Sequence, residues 1–129
     1  MYSEQLIPAV RRAADIPAID YERCHDGKGT LICRSLLDGL GSRAVAFMHH
    51  DLLPCGVSIG SHDHLVNEEV YYLVSGEGIL LFDGIEYPFR AGDVSLCSPG
   101  HSHGFSATSP EGAVLVVVGS AEFERRDMA

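Results

Sequence analysis

Gly56-Val57-Ser58-Ile59-Gly60-Ser61-His62-Asp63-His64-Leu65-Val66-Asn67-Glu68-Glu69-Val70-Tyr71-Tyr72-Leu73-Val74-Ser75-Gly76 is the stretch on which the reading of this chain turns. In a strand, side chains at i and i+2 share a face, so His62 and His64 converge while Asp63 points away. Glu69 follows after a short connection and opens a β-branched and aromatic run. A second glycine-framed block runs from Gly92-Asp93 to Ser98-Pro99-Gly100-His101-Ser102-His103. Three imidazoles and one carboxylate, brought together, suit a divalent first-row metal and leave coordination positions open.

Outward from these blocks the chain is strand and turn. Residues 30–37, 44–50, 69–74, 79–82, 85–89, 94–97, 103–106 and 114–118 read as strands, separated by Gly- and Asp-rich turns. Asp83-Gly84 between two apolar runs is a two-residue hairpin signal. Residues 10–15, bounded by Pro8 and Pro17, read equally as a short helix or an edge strand. Many short, evenly punctuated strands indicate an all-β sandwich or barrel.

At 129 residues the expectation is one domain, 1–129. Its 46% hydrophobic and 21% charged residues argue against a disordered chain. Nine Lys+Arg against 18 Asp+Glu give a net charge of −9, which repels a phosphate backbone; nucleic acid is not an expected partner. The longest apolar run, 113–118, is far below the roughly 20 residues of a membrane helix, so no membrane partner is expected either. Met1-Tyr2-Ser3-Glu4-Gln5 lacks the basic and apolar regions of a signal peptide, and the expected location is cytoplasmic. Cys24, Cys33, Cys55 and Cys97 form no Cys-x-x-Cys pair and read as reduced, buried thiols.

The two blocks resemble the two motifs of the cupin superfamily, most closely its small single-domain bacterial members, often described as oxalate-decarboxylase-like or mannose-6-phosphate-isomerase-like. The first motif, G-x5-H-x-H-x(3,4)-E-x6-G, is met at every position by Gly56, His62, His64, Glu69 and Gly76, and its spacing selects Glu69 over Glu68. The second, G-x5-P-x-G-x2-H-x3-N, is met by Gly92, Gly100 and His103, while Ser98 and Ala107 stand where it has Pro and Asn. The resemblance covers about residues 44–118, with 1–43 as an N-terminal arm of strands. It implies a double-stranded β-helix, the jelly-roll or cupin barrel, holding one divalent transition metal (Mn, Fe, Ni, Co, Cu or Zn) on His62, His64, Glu69 and His103. It also implies a homodimer. The all-apolar 113–118 run, compatible with burial on both faces, agrees with that.

Three further residues are candidates for chemistry beside the metal. His49 or His50 must face inward if 44–50 is a strand, and His49 is taken as a base or ligand contact. Tyr71 shares parity with Glu69 and is expected in the cavity. Either Cys33 or Arg34 faces in, and an inward Arg34 would grip a carboxylate through two hydrogen bonds. The expected activity is that of a metalloenzyme acting on a small chelating carboxylate or carbonyl compound, as dioxygenase, decarboxylase, lyase or isomerase. The alternatives are a non-catalytic small-molecule binding or sensing module and a barrel stabilised by a structural metal. The open coordination favours the first over the last.

Overall fold

In the computed structural model, residues 9–124 are described. Ten strands form: β1 Ile19–Glu22, β2 Thr30–Ser35, β3 Val45–Leu53, β4 Ser58–His64, β5 Glu69–Ser75, β6 Glu77–Phe82, β7 Ile85–Arg90, β8 Val94–Cys97, β9 His101–Ala107 and β10 Ala113–Ser120. They make a six-stranded sheet ordered β1-β2-β3-β10-β5-β8 and a four-stranded sheet ordered β4-β9-β6-β7. Every strand pairing among the described residues is antiparallel. The chain crosses between the sheets at six of the nine connections, including every one from β3 to β10 except the β6–β7 hairpin, which gives the jelly-roll. Residues 10–15 resolve into a single 3-10 turn, Ala13–Asp15, and the edge strand β1 follows it. The signal-peptide reading of residues 1–5 falls outside the described residues.

The inner faces follow period-2 patterning. On β10, Ala113, Leu115 and Val117 are buried while Val114, Val116 and Val118 are half-exposed, so within one chain the strand buries one face. Leu31, Leu53, Tyr71, Leu73 and Leu115 from the larger sheet meet Ile59, Leu80, Phe89 and Phe105 from the smaller. Full burial of each Leu contributes about 1.5–3 kcal/mol relative to exposure. Asp83 and Gly84 both have positive φ (49° and 79°), as the tightest hairpin turn requires, and join β6 to β7 with Phe82 opposite Ile85.

The expected barrel is not closed. Six strands face four, and no strand of one sheet is paired in the ladder of the other among the described residues. Each sheet therefore keeps two open edges, β1 and β8 in the larger and β4 and β7 in the smaller. Strand β7 is one such edge and carries Pro88, which cannot extend a ladder and so blunts it. Among the described residues, no helix is long and apolar enough to cross a membrane.

Candidate metal centre

The register of β4 on β9 sets His62 opposite His103, with His64 two residues on along the same face. The pairing slips by one residue between Ile59 and His62. A bulge there reverses strand parity, so Ile59 enters the core and His62 and His64 still face inward. Gly60 lies in the bulge, where a side chain on its α-carbon would collide with the His25 carbonyl. Glu69, the first residue of β5, faces these histidines from the other sheet.

The nitrogen and carboxylate atoms of His62, His64, Glu69 and His103 lie within 4.8 Å of one another, a cluster able to hold a metal ion. Glu69 Oε1 is 3.1 Å from His103 Nε2 and 3.8 Å from His62 Nε2; its Oε2 is 3.4 Å from His64 Nε2. His62 Nδ1 donates to the Gly60 carbonyl at 2.8 Å and His64 Nδ1 to Asn67 Oδ1 at 3.0 Å. Those bonds commit the Nδ1 protons and leave both Nε2 lone pairs aimed into the cluster. His64 Nε2 sits 3.0 Å from His103 Nε2, and His62 Nε2 is buried without a hydrogen-bond partner. A cation among converging lone pairs meets the need of both, so these residues fit a bound metal.

Two rings brace the imidazoles. Tyr71 stacks on His103 with centroids 4.0 Å apart, and His25 stacks on His62 at 3.6 Å. His25 adopts φ 50°, a left-handed conformation that costs about 1–2 kcal/mol and is held by the approach of its turn to the Gly60 bulge. Burial pushes the Glu69 carboxyl up, but hydrogen bonds and charge from the surrounding imidazoles outweigh it and hold the group down at about 2. Burial lowers His103 below the usual histidine range.

The cluster adjoins a cavity of about 190 Å³, reached through His62 and Glu69. Its other walls include Tyr21, Cys24, His25, Cys33, His49, Asp51 and Tyr71. His49 and Tyr71 thus line the cavity. Arg34 does not: Cys33 takes the inward position, and Arg34 Nη2 donates to the Ala13 carbonyl at 3.1 Å on the other face. The strand phase places Leu31 and Cys33 inward, which forces Arg34 out with His50 opposite it. The cysteines are free, but only Cys97 is buried; Cys24 and Cys33 are half-buried and Cys55 exposed. His101 is exposed and bonds Asp83 at 2.6 Å, outside the cluster. The sequence patterning does not single out Asn67, His25, Cys33 or Asp51 as site residues. The isolated Gly60 inside a strand was the available signal for the bulge that admits His25.

A family model described as a cupin domain matches residues 48–119. The oxalate-binding protein of Thermotoga maritima is 33% identical over 101 residues, covering 77% of this chain and 83% of that one. The crystal structure of a predicted oxalate decarboxylase from Thermotoga maritima superposes with a TM-score of 0.79 at 29% identity, over 86% of this chain and 97% of that one. A sugar phosphate isomerase of the cupin superfamily from Silicibacter pomeroyi shares the fold, with a TM-score of 0.72 at 22% identity over 87% and 75% of the two chains. Two facing antiparallel sheets, a His-x-His pair set against a third histidine and a glutamate, and a family match across these strands lead to one conclusion: the chain belongs to the cupin family.

Proposed function

We propose that His62, His64, Glu69 and His103 bind one divalent transition metal, and that the chain uses it to hold a small chelating carboxylate, oxalate or a related dicarboxylate or carbonyl compound. The observation that carries this is the convergence of four donors beside a cavity of about 190 Å³, below the roughly 300–1,000 Å³ of drug-sized ligand sites. Three neutral imidazoles and one carboxylate leave a net positive charge on a divalent ion, which attracts an anion despite the acidic chain. The names of the Thermotoga relatives support the substrate class. Once bound, the metal supplies Lewis-acid polarisation of a chelating oxygen.

The surrounding residues orient and enclose the ligand. Burial raises the Tyr71 hydroxyl well above the usual phenol range, so it keeps its proton. It is buried without a partner on the cavity wall and is placed to donate to a ligand oxygen. His49 faces the same space as a second ligand contact. The reading extends to catalysis of the decarboxylase, lyase, isomerase or dioxygenase type. Simple binding is the second reading, favoured by the description of one relative as a binding protein. Titrating the Co(II)-loaded protein with oxalate and with 2-oxo and 2-hydroxy acids tests the site: a saturable visible-spectrum change is expected, and a flat response to every ligand sinks the proposal. Turnover assays in air and under argon then separate enzyme from binder.

Asn67→Ala removes the acceptor that fixes the His64 ring. It is expected to weaken metal binding about 10–100-fold, since such outer partners are worth that much. Equal affinity by competition with a chelator would show that the Asn67 contact is incidental. Acidification should release the metal, because protonated imidazole is no ligand. Loss begins below about pH 6.5, the histidine reference value, and is displaced lower by the metal itself. Dialysis across a pH series with elemental analysis checks it; full occupancy at about pH 4 would contradict imidazole ligation.

A homodimer belongs to the same reading. Tyr72, Val94 and Leu96 are 43%, 65% and 50% exposed on the outer face of the six-stranded sheet, where β8 pairs β5. Burial of that patch against a second copy would remove apolar surface from water. Light scattering should give twice the chain mass; a monomer at micromolar concentration removes the expectation. Free thiols agree with a reducing, cytoplasmic location.

A further inference from the structure

Across the cavity from the histidines, the larger sheet repeats the same arrangement with different donors. Asp51 and His49 lie two residues apart on β3 and share a face. Cys33 on β2 stands directly opposite Asp51 in the register. The pattern is His-x-Asp with a cross-strand cysteine, where the smaller sheet has His-x-His with a cross-strand histidine. The Cys33 sulfur, a His49 ring nitrogen and an Asp51 oxygen lie within 4.8 Å of one another, and all three residues line the cavity.

The Asp51 carboxylate marks this as more than neighbouring polar groups. Asp51 is 4% exposed, and its Oδ1 is buried with no hydrogen-bond partner. An unpaired carboxylate oxygen in a core costs a few kcal/mol unless something compensates it, about 1–3 by mutational measures. The side chain that faces it across the β2–β3 pair is the Cys33 thiol. Nothing in the first metal centre uses any of these three groups.

We propose that Cys33, His49 and Asp51 bind a second divalent metal ion with affinity for sulfur, facing the first across the cavity. One thiolate, one imidazole and one carboxylate are a zinc-type donor set, with a fourth position open to the cavity. Thiolate and carboxylate together neutralise a divalent ion, so the buried site carries no net charge. Burial pushes the Cys33 thiol up to about 12, so before binding it holds its proton. Metal entry displaces that one proton to solvent as the sulfur–metal bond forms.

The sulfur donor separates this site from the first, whose four ligands include none. Metal-free protein is loaded with excess Co(II), freed of unbound metal, and measured for bound metal and for the near-ultraviolet sulfur-to-cobalt charge-transfer band. The expected result is two ions per chain with the band present. Cys33→Ala should abolish the band and release one ion, Asp51→Asn should weaken that ion's binding, and Cys24→Ala should leave both intact. One ion per chain without the band overturns the second site and leaves the first standing. No ion and no band overturns both sites, and one ion with the band keeps the second site and removes the first. A band that disappears with Cys24→Ala and survives Cys33→Ala also overturns the assignment. Because the wild-type spectrum is the primary readout, a poorly folding variant does not shield the proposal.

Discussion

His103→Ala is expected to weaken metal binding by more than about 100-fold, since the outer partners of ligands alone are worth about 10–100-fold. His103 is fully buried and central to the cluster, with its Nε2 3.1 Å from Glu69 and 3.0 Å from His64. Its loss removes a donor and leaves Glu69, Oε1 of which it contacts, with two imidazoles in place of three. It also strips the ring on which Tyr71 stacks. His101→Ala is the matched control. His101 is two residues away, exposed, and engaged with Asp83, so its replacement should leave metal content unchanged. Elemental analysis of both variants beside the wild type decides the point. Near-wild-type stoichiometry in His103→Ala, or parallel losses in both, would refute the ligand assignment.

The cluster was legible because its information is local. His62-x-His64 needs only the strand period, and the run from Glu69 declares its own strand. Asp83-Gly84 declares its hairpin by the same kind of short-range signal. What was not legible depends on register and on long-range approach. The 30–37 segment mixes apolar and polar residues on both parities, so its phase is not readable, and the inward place open to either Arg34 or Cys33 falls to Cys33. The opposition of Cys33 to Asp51 follows from the β2–β3 register, which the intervening loop does not specify. His25 reaches His62 only because the Gly60 bulge lets another turn approach. Closure of the barrel likewise depends on strand count in each sheet, and short-range patterning is silent about which sheet a strand joins.

The glycines that frame the first motif invite the inference that they serve the metal, and Gly76 shows otherwise. It lies between β5 and β6, where the chain leaves the six-stranded sheet for the four-stranded one. Its φ is 79°, and a side chain there would collide with the Gly112 carbonyl and meet Ser109 Oγ at 2.8 Å. Ser109 is not free to yield, because its hydroxyl donates to the Gly112 carbonyl at 2.7 Å and it accepts from the Glu77 amide at 3.1 Å. Gly76→Ala therefore combines a left-handed backbone cost of about 1–2 kcal/mol with about 1–3 kcal/mol of overpacking. A total of about 2–5 kcal/mol is a large share of the roughly 5–15 kcal/mol that stabilises a typical domain. Gly84→Ala isolates the first part, since Gly84 has the same φ of 79° with nothing within 4 Å of the added carbon. In urea unfolding, Gly76→Ala should lower the midpoint well beyond Gly84→Ala at unchanged slope. Equal shifts would mean that the corner relaxes and the close approach is not limiting. Gly76 closes the far end of the strand that Glu69 opens. Metal stoichiometry in the folded fraction should therefore stay at the wild-type value, which assigns this glycine to the corner of the fold and leaves the chemistry to the residues at the other end of β5.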